Sequence, residues 1–65
     1  MPTASEEYRQ QSLAACNDAL VSIARAQRQL EAIHPVVRET KPWQALQLLG
    51  KQLASVMADI GRMKL

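Results

Sequence analysis

The sequence predicts an all-α fold, an antiparallel two-helix hairpin, on three observations. From Ala4 to about Ile33 the chain contains neither proline nor glycine and is dominated by Ala, Gln, Leu and Arg, all strong helix formers. Two proline-marked signals, His34-Pro35 and Thr40-Lys41-Pro42, then fall close together. On either side of them the apolar residues recur at alternating spacings of three and four. No segment alternates with period two, so no strand is expected.

The first helix opens on T-A-S-E, Thr3 to Glu6, where the threonine hydroxyl can accept from the backbone while the glutamate reaches back. Glu6 and Glu7 sit in the first turn, which the helix dipole favours. His34-Pro35 ends the run, because the residue before proline avoids helical angles and proline lacks an amide proton. A helix over about 4–33 therefore spans roughly 45 Å. Residues 34–41 form the connection, a normal length for two packed helices. Thr40 is placed to cap the second helix, over about 42–64, with Pro42 in its first turn. The chain reads as one helical-hairpin domain over 1–65.

Periodicity assigns the contact line. Leu13, Cys16, Leu20, Ile23, Gln27, Leu30 and His34 form a heptad seam in the first helix. Leu46, Leu49, Leu53, Val56, Ile60 and Met63 form one in the second. Folding back near residue 38 sets Leu30 beside Leu46 and Ile23 beside Leu53, and leaves Tyr8 and Arg9 with no helix opposite. Beside the first seam runs a stripe of Tyr8, Ser12, Ala15, Ala19, Ser22, Ala26 and Ile33. Beside the second runs one of Trp43, Gly50, Ala54, Met57 and Gly61.

One partner helix cannot cover so wide an apolar arc. A homodimeric four-helix bundle would bury both stripes, with Tyr8, Ala15, Ala19, Ala26, Gly50, Met57 and Gly61 at the dimer interface. A monomer that becomes ordered on a different protein is the alternative. The size of the chain presses the same way. Sixty-five residues with 48% hydrophobic types, two aromatics and no Phe make a marginal core, worth only about 3–5 kcal/mol. The lone Cys16 excludes an internal disulfide, and with the lone His34 it cannot complete a zinc site. Oligomerisation remains.

Chemistry is sparse. No catalytic triad, CxxC, HxxxH or glycine-rich phosphate loop occurs, so neither an enzyme nor a bound cofactor or metal is expected. Glu6 and Glu7 are adjacent and diverge around a helix, which is no acid/base pair. Cys16 reads as an inert seam thiol and His34 as a helix terminator. The formal charge of +2 is too small for a nucleic-acid footprint by itself. Arg25 and Arg28 make a small basic patch without interleaved aromatics, which a solvated helix face explains. The longest apolar run is far short of a membrane span, and the opening M-P-T-A-S-E-E lacks the basic start and apolar stretch of a secretory signal. A cytoplasmic location is expected.

The connection is the most suggestive region. Ile33, Val36, Val37 and Trp43 lie in a turn with little core to enter. They either form a local mini-core, or Val36, Val37, Arg38 and Trp43 present a protein-binding surface. Leu48 projects away from both stripes as a further exposed apolar residue.

The layout, a capped long helix, an H-P-V-V-R-E-T-K-P-W joint and a shorter second helix, resembles the small phage proteins that act as anti-activators of host quorum sensing. That resemblance implies a compact dimeric helical hairpin in the bacterial host cytoplasm. It would bind a LuxR-type transcriptional activator and block its DNA binding, and in some members inhibit a type IV pilus assembly ATPase. The Rop type of RNA-binding hairpin dimer shares the architecture, but this chain lacks its aromatic-and-basic face. The function expected is therefore a non-enzymatic protein-binding inhibitor or adaptor. A Rop-like RNA- or DNA-binding dimer and a secretion-system cochaperone are the alternatives.

Overall fold

The computed structural model describes residues 3–64. Helix α1 runs Ala4–Glu31, a 3₁₀ helix follows over Pro35–Glu39, and helix α2 runs Lys41–Gly61. The two long helices pack side by side as a hairpin, and no strand occurs among the described residues.

Each end has a physical cause. Thr3 Oγ1 accepts from the Glu6 amide at 3.1 Å, as the sequence suggests. The Glu6 carboxylate accepts from the Gln10 side chain and pairs with Arg9. α1 closes two residues earlier than its composition implies. The Ile33 amide donates to the Leu30 carbonyl at 2.9 Å, tightening the last turn, and His34 is fully extended. Thr40 does not cap α2 with its side chain. Pro42 has no amide to offer there, and the hydroxyl instead donates to the Val37 carbonyl, which also accepts from the Thr40 amide.

The interhelical register is the main correction to the sequence reading. The half-buried positions of α1 include the expected Leu13, Cys16, Leu20, Ile23, Gln27 and Leu30, together with Glu6, Arg9, Ala26 and Glu31, whereas His34, expected to end the seam, is exposed beyond the helix. In α2 they are Trp43, Leu46, Gly50, Leu53, Met57 and Ile60. Leu49, Val56 and Met63, expected in the seam, are exposed. Gly50, expected on the outward stripe, faces inward, with the position of its missing Cβ 3.8 Å from Ile23 and 4.0 Å from Leu20. The whole of α2 is thus advanced by about one turn relative to a fold-back at residue 38. Arg9 reaches the segment just past the end of α2, donating from Nη2 to the Met63 carbonyl at 2.6 Å.

Gln27 fixes this register from within the seam. Its side-chain amide donates to Gln47 Oε1 at 2.9 Å and to the Trp43 carbonyl at 3.5 Å. A slide of α2 would exchange these two partners, so the pair favours the observed register.

The packing yields no core. No side chain among the described residues is fully buried. The hairpin is a rod of 50 × 16 × 10 Å with a radius of gyration of 15.2 Å, against about 11 Å for a compact domain of this length.

Gly50 lies at an ordinary contact distance from its neighbours and has no positive φ. Gly50→Ala should therefore stabilise the protein by up to about 1 kcal/mol, by removing a mid-helix glycine without a clash. A lower urea midpoint for this variant would contradict the inward packing described.

Candidate protein-binding surfaces

Three apolar regions remain exposed, and each is built by a different part of the fold. The first is the tip. α1 ends in Glu31, an acid where the helix dipole disfavours one. Its Oε1 accepts from both the Trp43 indole N–H and Arg38 Nε, each at 3.1 Å. One carboxylate oxygen thereby joins α1, the 3₁₀ turn and the first turn of α2. His34 Nδ1 accepts from the Val36 amide at 3.1 Å and caps the 3₁₀ helix. The sequence reading missed Glu31. The signal available was a carboxylate at the wrong end of a helix, with a tryptophan and an arginine beyond the turn.

This lock divides the residues expected to bind a partner. Trp43 is half-buried with its polar edge already used, and Val37 is half-buried beside it. Val36 is exposed, Ile33 is 74% exposed, and Arg38 retains a largely solvent-facing guanidinium. The tip therefore holds a small lock beneath an apolar cap of Ile33 and Val36.

The second region is the open end. Tyr8, Arg9, Ser12, Ile60 and Met63 line a shallow groove there, and Tyr8 is 70% exposed. Arg9 Nε is shielded from solvent without an acceptor, while its Nη atoms hold Met63 and Glu6. The arginine ties the first turns of α1 to the residues that follow α2.

The third region is one flank of the rod. Ala19 and Ser22 of α1 and Leu49, Gln52 and Val56 of α2 line a broad groove above Ile23 and Leu53. Ala15 and Ala26 continue it by helical spacing. The opposite flank is more polar, with Gln27, Gln47 and Lys51 beside Ala24 and Ala54.

Of the residues expected at a dimer interface, Ala15 and Ala19 are exposed on the apolar flank and Ala26 is half-covered at its edge. Tyr8 is exposed at the open end. Gly50 and Met57 belong to the intrachain seam, and Gly61 faces open space. Arg25 and Arg28 are exposed and join no ion pair among the described residues.

Among the described residues no three His, Cys, Asp or Glu side chains converge as metal ligands, and no helix is long and apolar enough to cross a membrane. Cys16 is a half-buried free thiol.

Glu31→Ala should cost about 1–3 kcal/mol, because it strands the indole N–H of a half-buried Trp43. It should also shift the emission of this sole tryptophan to the red as the ring becomes wetter. Unchanged emission together with unchanged stability would remove the lock from the account. No protein-family model matches the chain, and no characterised protein or solved structure is significantly similar to it.

Proposed function

We propose that this chain is a non-enzymatic binding protein, a dimeric helical hairpin that inactivates or adapts another protein by occupying its surface. The observation that carries this reading is the absence of any fully buried side chain among the described residues, with Tyr8, Ile33, Val36, Leu48, Leu49 and Val56 all substantially exposed. Association is the means by which so small a chain gains a core. The tip is the heterologous contact. Ile33 and Val36 supply an apolar anchor, Arg38 a charge for an acidic rim, and the Glu31–Trp43 lock holds them in place before binding. The hairpin layout supports the narrower reading of an anti-activator of the phage type, directed at a LuxR-type regulator, with a pilus assembly ATPase as a second target. A bacterial cytoplasmic setting goes with it.

Affinity capture from a bacterial lysate, with a nuclease-treated parallel, tests this reading. A protein partner should be retained after nuclease treatment and at raised salt, whereas a nucleic-acid partner would be lost steeply with salt. Val36→Asp and Ile33→Asp should each cut capture about tenfold or more while leaving helicity intact. Trp43→Ala and Val37→Asp should reduce capture and stability together, since Trp43 belongs to the lock and Val37 is half-buried in the same turn. Capture that survives both tip-surface variants would place the contact elsewhere.

A further inference from the structure

We propose that the Ala19–Val56 flank is closed by a second copy of this chain, packed about a two-fold axis parallel to the helices so that both tips lie at the same end. This rests on the dimeric part of the reading above and names the face and the arrangement.

The area is right for a stable dimer. The chain exposes 5165 Å², whereas a compact monomer of its mass exposes about 4,100 Å². The excess of about 1,000 Å² matches the roughly 800 Å² or more that each partner buries in a specific interface. Of the two grooves that run along the helices, the one lined by Leu49 and Val56 is the more apolar. Leu49 and Val56 are each 48% exposed there, beside an α1 surface made of alanine and serine.

The sizes of the side chains select the arrangement. α1 contributes only small residues to this flank (Ala15, Ala19, Ser22, Ala26), while α2 contributes the large Leu49 and Val56. Packing α1 on its own copy would set small against small and large against large, and the two pairs of helices could not share one spacing. Packing α1 on the α2 of the second copy sets small against large on both sides, which fills a bundle evenly.

The register agrees in detail. Level positions in the hairpin have residue numbers adding to about 73, as Ile23 with Gly50 and Arg9 with Met63 show. A two-fold axis parallel to the helices preserves those levels. Val56 of the second copy then enters between Ala15 and Ala19, and Leu49 of the second copy between Ser22 and Ala26. Every neighbouring pair of helices is antiparallel in this bundle. The two Ile33–Val36 caps stand side by side, so the dimer presents one bivalent partner surface.

Sedimentation equilibrium of the purified chain, with circular dichroism alongside, tests this. The wild type should sediment at twice the chain mass of 7.2 kDa. Ala19→Glu alone and Val56→Lys alone should each need on the order of a hundredfold higher concentration to pair, since each buries an unpartnered charge. An equimolar mixture of the two variants should regain the dimer and the wild-type helicity, because the introduced carboxylate and ammonium then meet across the interface. That rescue also shows that neither variant is simply misfolded. Ala54→Glu, on the opposite flank, should leave the dimer intact. A monomeric wild type, a dimer indifferent to Ala19→Glu, dissociation by Ala54→Glu, or a mixture that fails to re-form would each overturn the proposal. A failed pull-down beside a successful rescue would sink the partner reading alone.

Discussion

Two helices share one line of contact, and that geometric limit governs this protein. Each helix can hide a single seam against the other, so every side chain among the described residues stays at least partly wet. A third or fourth helix is what converts a seam into a core. The rod-like shape, the exposed leucine and valines and the narrow stability expected of a 65-residue chain all follow from it.

Within that limit, polar groups rather than apolar ones decide how the helices meet. Two leucine-rich ridges slide past one another at little cost, and heptad spacing repeats every turn or two. The Gln27 amide and the Glu31 carboxylate break that degeneracy, one in the seam and one at the tip. Each finds its partners in the observed register. The same choice turns Gly50 inward toward Ile23 and Leu20, and turns Leu49 and Val56 outward. A few hydrogen bonds at the turn thus determine which apolar residues become the surface.

The sequence made the fold class, the two helices and the α1 seam from Leu13 to Leu30 legible, because Ala, Leu and Gln runs bounded by proline have few alternatives; only His34, expected to continue that seam, stands exposed beyond the end of α1. The α2 seam was not legible. Leu46, Leu53 and Ile60 fit two overlapping heptads, one completed by Leu49, Val56 and Met63 and the other by Trp43, Gly50 and Met57. Hydrophobicity favours the first, and the folded chain adopts the second. The deciding information lay in the 3₁₀ turn over Pro35–Glu39 and in the reach of Trp43 back to Glu31, which are three-dimensional relations without a local pattern. The candidate surface at the tip was half legible for the same reason. Exposure of Val36 followed from the lack of core, whereas the engagement of Trp43 depended on an acid twelve residues away.

If folding and association are one process, stability must depend on how much protein is present. Thermal unfolding followed by circular dichroism over a hundredfold range of chain concentration measures this directly. The account predicts a midpoint that climbs steadily with concentration. A midpoint identical at both extremes, with a sharp transition, would mean that a single hairpin is stable by itself.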